Sequence, residues 1–506
     1  MKKYVFALVT AAAVVAAALI PSGPPVEAAT PGFASAVSAI KQTSWQTNNS
    51  VNALAISGNT VFAGGLFTKI RQPGKPAGQG EATRTYIAAF NRTTGAPTAF
   101  APKLNGPVYS IATSPDGNWV VIGGDFTTVN GIKRSKIAMF SVVTGKLVAA
   151  WDPVVSARVK ALAIFGNSVF IGGSFGRIDG AVRSRLGAVR LIQGDLLPWN
   201  PVANGDVYAI DLSDNGTRVF VGGPFSTING KDHYSLAMTN NTTGAAYSFP
   251  AAAAIPKPTA TCTTRVKDID TLGDNVYVSN GGDGGGCYDG VLAAQVSTGK
   301  LLWKNNCLGA TEAIKAIGNW VYKGSHAHNC SDSGAFPDGT GTHYLLVESA
   351  INGKIGPWFP NTDANQSSTT KVGPLAMAGT STDLWVGGDF LHVNNKIQQG
   401  LTRFTNTPGG AAPAVPKAPI LIPSSDKVQV KFSDVYDLDN ISLTYNVFRG
   451  TTNIGSFKYM SYYWEARKAY TVADTGVKRG QTYTYHIEVH DGRNIMKGPS
   501  VSVKVP

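Results

Sequence analysis

The chain has 506 residues, with 57 glycines and 28 prolines, while Asp, Glu, Lys and Arg supply only 15% of it. A hydrophobic share of 43% excludes a mainly disordered chain, and the scarcity of charge excludes a coiled coil or a long-helix protein. The net charge of +13 would suit anionic partners, but the basic residues are scattered. The densest groups are Lys133-Arg134-Ser135-Lys136 and Arg183-Ser184-Arg185, with no recognition-helix or RNP-like segment beside them, so no nucleic-acid partner is expected. Turn-rich, charge-poor and apolar composition leaves a many-stranded β protein.

The N-terminus reads as a secretory signal over residues 1–28. Lys2 and Lys3 precede an apolar run over 5–20, and Val26-Glu27-Ala28 offers small residues for cleavage. No comparable apolar stretch follows, so the expectation is a secreted, extracellular monomer without a transmembrane segment.

From 33 to 406 one element recurs: Gly64-Gly65-Leu66-Phe67, Gly123-Gly124-Asp125-Phe126, Gly172-Gly173-Ser174-Phe175, Gly222-Gly223-Pro224-Phe225 and Gly387-Gly388-Asp389-Phe390. Degenerate copies at Gly281-Gly282-Asp283 and Gly324-Ser325-His326 fill the gap, making seven units. Each unit reads as alternating strand, turn, second strand, Gly-Gly-x-Phe, an Asn/Asp-Gly turn, third strand, and a final strand ending in an aromatic. Four short strands per unit make a propeller blade, and paired glycines suit a close backbone approach. The terminal aromatic falls at Phe100, Trp151, Trp199, Phe249, Trp303 and Trp358, while the seventh unit lacks its last strand. The segment around Trp45 precedes 51–56 much as Trp151 precedes 159–164, so an N-terminal strand should complete the last blade. The expected fold class is all-β: a seven-bladed β-propeller closed by an N-terminal strand, followed by a small β-sandwich.

Four cysteines lie close together: Cys262, Cys287, Cys307 and Cys330. Of the three possible pairings, the repeat favours Cys262–Cys287 and Cys307–Cys330. Cys262 and Cys307 both precede a first strand, and Cys287 and Cys330 both follow a second strand. Each bridge would close a loop worth about 3 kcal/mol in the chain-entropy model. Insertions at 71–83, 251–264, 325–342 and 361–371 open on the same face, where binding sites usually form. Candidate ligand-binding residues there are His326, His328, Asp332, His343, Asp283, Asp289 and Tyr288. A divalent metal at His326 and His328, with Asp332 or Asp338, is the minor alternative to surface histidines; no cofactor is expected. Calcium at Asp283 and Asp289 lacks the EF-hand spacing. Gly172-Gly173-Ser174-Phe175-Gly176 matches Gly-x-Ser-x-Gly, but sister repeats carry Leu, Asp or Pro at the Ser position, so it is no nucleophile elbow.

Residues 407–423 read as a Pro-rich linker, and 424–506 as a sandwich of short strands separated by polar turns. In that module Gly480-Gln481-Thr482-Tyr483-Thr484-Tyr485 resembles the late strands of fibronectin type III modules, which implies a spacer or adhesive unit and a corner tyrosine at Tyr483 or Tyr485. The Gly-Gly-x-Phe blades resemble the secreted bacterial propellers of the delta-60 repeat type over 33–406, which implies a propeller and says little about activity. Ser297-Thr298-Gly299-Lys300-Leu301-Leu302-Trp303 is similar to the blade-closing motif of quinone-dependent dehydrogenases, but only this unit matches. The leading expectation is a secreted binding or adhesion protein whose ligand is a polysaccharide or cell-surface glycan, with a protein partner next. The alternatives are a glycan lyase or hydrolase on the same face and a structural cell-envelope protein.

Overall fold

Two adjacent glycines in six of the seven repeats decide how the strands pack. A Cβ on Gly64 would lie 2.4 Å from Val108 Cγ1, and one on Gly123 would lie 2.3 Å from Val159 Cγ1. Both valines belong to the first strand of the following repeat, so the missing side chain is the socket for the next sheet. The second glycine faces its own sheet: a Cβ on Gly65 would meet Ser50 O at 2.1 Å, and one on Gly124 would meet Pro107 O at 2.0 Å. The phenylalanines that follow, Phe67, Phe126 and Phe175, are fully buried, each worth roughly 1.5–3 kcal/mol of apolar burial.

The computed structural model describes residues 37–283, 287–365, 372–407 and 409–506, all within the unit Ala34–Pro506. The segment read as a secretory signal lies outside them, as does part of the 361–371 insertion. The described chain is all-β and propeller-like, a succession of small antiparallel sheets. Counting Gly-Gly repeats among the described residues, the sheets begin with inner strands Val51–Ser57, Val108–Thr113, Val159–Phe165, Ala209–Leu212, Thr263–Leu272, Thr311–Ile317 and Gly373–Gly379. Each inner strand lies against the next, and Gly373–Gly379 lies against Val51–Ser57. Lys41–Gln42 pairs antiparallel with Leu401–Thr405 of the seventh sheet, with Lys41 opposite Phe404 and Gln42 opposite Arg403. Trp45 follows that strand and packs in one cluster with Trp385 and Leu401.

The expected fourth strands are mostly single bridges. Phe90 meets Pro97, Phe140 meets Leu147, Val189 meets Leu196, Thr239 meets Ala246 and Glu348 meets Ile355. Prolines such as Pro97 and Pro198 remove ladder donors there. The fifth sheet has no proline in this stretch and forms a full strand, Leu301–Lys304. The aromatics still tie neighbouring sheets: Trp151 Nε1 donates to Arg190 O at 3.1 Å, Trp199 Nε1 to Asn240 O at 3.0 Å, and Trp303 Nε1 to Ala350 O at 2.9 Å.

The C-terminal part has two sheets around one core. One carries Ile420–Pro423, Val428–Ser433 and Ala469–Asp474; the other carries Thr452–Met460, Ser442–Arg449, Thr482–His490, Ile495–Lys497 and Val501–Lys504. Val428, Val430 and Tyr445 meet Tyr485, Ile487 and Val489 between them. Tyr483 OH accepts from the Lys478 backbone N–H at 3.0 Å, while buried Tyr485 donates to Asp474 at 2.8 Å.

This sandwich does not stand off on its linker. The Asp439 carboxylate accepts from Ser38 Oγ (3.0 Å), Ala39 N (2.9 Å) and Ala411 N (2.9 Å), holding the N-terminal segment and the linker together. Phe359 N donates to Leu438 O at 2.6 Å, and Trp464 packs edge-on against Phe336 and Phe359. Asp439→Ala leaves three donors without this acceptor and should cost about 1–3 kcal/mol. Urea unfolding should show that loss, and limited proteolysis should cut faster in the 411–423 segment.

Candidate functional site

The inner strands bring the site residues together through a repeated irregularity. Pairing between first and second strands slips at Val51/Ala53, Val108/Ser110, Val159/Ala161, Val266/Asp268, Thr311/Ala313 and Pro374/Ala376. Each slip is a β-bulge that leaves one residue unpaired and re-aims its side chain. The unpaired residues are Asn52, Tyr109, Lys160, Lys267, Glu312 and Leu375. In the fourth sheet the equivalent residue, Tyr208, directly precedes the strand Ala209–Leu212.

These residues lie at the ends of the inner strands nearest the Gly-Gly turns, where several meet their neighbours. Lys160 Nζ sits 4.3 Å from the Tyr208 ring centre and 2.9 Å from Asp206 Oδ2. The Arg158 guanidinium lies 4.7 Å from the Tyr109 ring centre, and its Nε donates to Asp125 Oδ2 at 2.7 Å. Asp206 also accepts from Ser174 Oγ at 2.6 Å and faces Arg185 Nε at 3.5 Å. Burial alone would raise the Asp206 pKa, but the Ser174 hydroxyl and the Lys160 ammonium outweigh it and hold the carboxyl below its usual range. The hydrogen bond that Arg158 donates to Asp125 raises the Arg158 pKa, against burial. Lys267 pairs with Glu312 at 3.1 Å, and Arg265 with Asp283. Ser174, the residue of the Gly-x-Ser-x-Gly match, is thus a hydrogen-bond donor to a carboxylate.

Of the residues singled out from the sequence, Asp283, Asp289 and His326 lie at this mouth. Asp289 accepts from Gly282 N at 2.5 Å, and burial raises its pKa. His326 Nε2 accepts from Ala310 N at 3.3 Å, and burial lowers its pKa despite the nearby Glu312 and Asp289 carboxylates. Tyr288 is buried with its hydroxyl unpartnered, and burial, then the Glu348 carboxylate, push its phenol well above the usual range. The other three residues go elsewhere. His328 Nδ1 lies 3.1 Å from Asp338 on the stapled insertion, and Asp332 sits exposed in the short 3-10 turn Ser331–Ser333. His343 is buried with its ring 3.9 Å from that of Phe336, beside Tyr463 of the sandwich. The insertion therefore carries the C-terminal sandwich, because Phe336 and Phe359 need apolar cover. The disulfides join Cys262 to Cys287 and Cys307 to Cys330, and the second lies beneath that contact. Among the described residues no group of three or more His, Cys, Asp or Glu side chains is placed to hold a metal ion.

The opposite end of the inner strands encloses a cavity of about 480 Å³, lined by residues from all seven, from Leu54 to Met377. Three aspartates there are inter-sheet acceptors. Asp211 Oδ2 accepts from Thr271 N (2.7 Å), Asp268 Oδ2 from Ile314 N (3.0 Å) and Asp270 Oδ2 from Ala316 N (2.6 Å). Lys315 Nζ donates to Asp270 Oδ1 at 2.6 Å. Burial pushes Asp211 and Asp268 up to about 7, with Asp270 adding to both. These carboxylates satisfy backbone donors at the channel wall.

The bulge residues carry a signal that a search for His and Cys clusters passes over. In the aligned inner strands Val-Asn-Ala, Val-Tyr-Ser, Val-Lys-Ala, Val-Tyr-Ala, Val-Lys-Asp and Thr-Glu-Ala, the middle position changes chemistry while its neighbours stay small or apolar.

No family model matches the chain. No curated protein matches it either. Among solved structures, a chain from "Crystal Structure of Mitotic Checkpoint Complex" aligns over 78% of this chain and 98% of its own, at 11% identity and a TM-score of 0.45. No helix among the described residues is long and apolar enough to cross a membrane.

Burial takes the His343 pKa from 6.5 down to about 4, so the folded state favours the neutral ring. The stability this contributes is complete above pH 6.5 and is lost as pH falls through about 4, at about 1.4 kcal/mol per unit. Thermal melting should therefore drop between pH 7 and pH 4, and His343→Phe should flatten that part of the profile.

Proposed function

We propose that this is a secreted binding protein that takes an extracellular glycan at the mouth beside the Gly-Gly turns. The observation that carries the reading is the set of bulges in six of the sheets, each of which leaves one side chain of varying chemistry unpaired beside the Gly-Gly turns. Half-buried Tyr109 and Tyr208 supply flat apolar faces, and the Asp and Arg groups beside them supply the hydrogen-bonding geometry that sugar hydroxyls use. The reading takes the seven sheets as seven blades of a delta-60-type propeller, closed by Lys41–Gln42. It takes 424–506 as a fibronectin type III-like module, which the sheet order and the Tyr483 corner bond support. It makes that module a support for the sixth blade and for the closing segment, in place of a free spacer.

A glycan array, with products followed by mass spectrometry, tests the proposal. Binding without cleavage is expected, and Tyr109→Ala combined with Tyr208→Ala should weaken it about tenfold or more, equivalent to about 1.4 kcal/mol. Oligosaccharide products would instead favour the lyase or hydrolase alternative. Unchanged binding by the double variant would move the site away from this mouth.

A further inference from the structure

We infer that the glycan is uncharged, a neutral polysaccharide and not a uronate-, sulfate- or phosphate-bearing one. This rests on the mouth being the glycan site. The chain carries +13 overall, yet the cations at the mouth are already engaged, Lys160 and Arg185 sharing Asp206 and Lys136 held by the Asp125 carbonyl. Arg158 is held by Asp125, Lys160 by Asp206 and Lys267 by Glu312. An acidic sugar ring entering here would have to draw a cation from its carboxylate and would leave that carboxylate facing another anion. Like-charge juxtaposition of this kind selects against wrong partners. A neutral pyranose makes no such demand. Its hydroxyls donate to lone pairs that Asp125 and Asp206 retain, and accept from N–H groups that Arg158 and Lys160 retain. Its C–H faces suit the two tyrosine rings. The repetition of the arrangement on neighbouring sheets, a tyrosine with a cation over its ring and a carboxylate holding that cation, suits a polymer with repeating sugar units.

The test compares the full chain's binding to neutral glucan, mannan and chitin oligosaccharides with its binding to polygalacturonate and a sulfated glycan, at about 20 and about 500 mM salt, roughly sevenfold below and threefold above physiological ionic strength. The expected result is binding to at least one neutral class, changed less than about twofold by salt because no net charge is neutralised. Asp206→Asn should weaken that binding about tenfold, and Tyr208→Ala should do so in a chain whose ion pairs are left in place. Salt-sensitive binding to acidic polymers alone, abolished by Lys160→Gln, would overturn the inference while keeping the glycan mouth. Failure to bind any glycan would overturn the mouth reading itself.

Discussion

The contact between a bare glycine Cα and the valine of the next sheet is the constraint on which the rest of the structure depends. It occurs at Gly64 with Val108, Gly123 with Val159, Gly172 with Val207, Gly222 with Val266, and across the ends of the repeat at Gly387 with Val51. A Cβ at any of these positions would come within 2.2–2.7 Å of the valine Cγ1, closer than packed side chains tolerate. The two degenerate repeats keep the socket and change the plug: Gly281 faces Ala310, and Gly324 faces Pro374. The spacing between sheets is thereby preserved where the motif is weakest.

The second glycine links this scaffold to the proposed site. Its backbone lies so close to the residue preceding its own inner strand that the next N–H bonds back to it, as Ser174 N does to Arg158 O at 2.9 Å. The pairing then slips by one residue, and the unpaired side chain is delivered to the mouth. Framework and proposed recognition are separated within three consecutive residues: the valine locks the sheet, the following residue varies, and the next residue resumes the ladder. Asn52, Tyr109, Lys160, Lys267 and Glu312 occupy that variable position without disturbing the contacts between sheets.

Much of the fold was legible because it is periodic. The Gly-Gly pairs, the terminal aromatics and the place of each cysteine within its repeat are local patterns, and the structure gives each a specific contact. Other features depend on what the chain meets far away in sequence. Three histidines within 18 residues suggested one cluster, yet His326, His328 and His343 occupy three environments, because the stapled insertion bends outward to meet Tyr463 and Trp464. The prolines suggested a linker and the fibronectin resemblance a spacer or adhesive unit, while Asp439 ties the sandwich to the first described residues. Period-2 patterning hid the bulges, since a one-residue slip is invisible until the partner strand is known. The aspartates of the channel wall were hidden for a related reason, as their acceptors' partners lie on the next sheet.

Packing of the seventh sheet onto the first is the claim from which the mouth follows, and a double-mutant cycle on Gly387 and Val51 tests it most directly. Gly387→Ala alone should cost about 1–3 kcal/mol in urea unfolding, because its Cβ would lie 2.5 Å from Val51 Cγ1. With Val51→Ala in the same chain, the combined loss should fall short of the sum of the single losses by about 1 kcal/mol or more. Losses that add within about 0.5 kcal/mol would mean that the two residues do not touch, contradicting that packing.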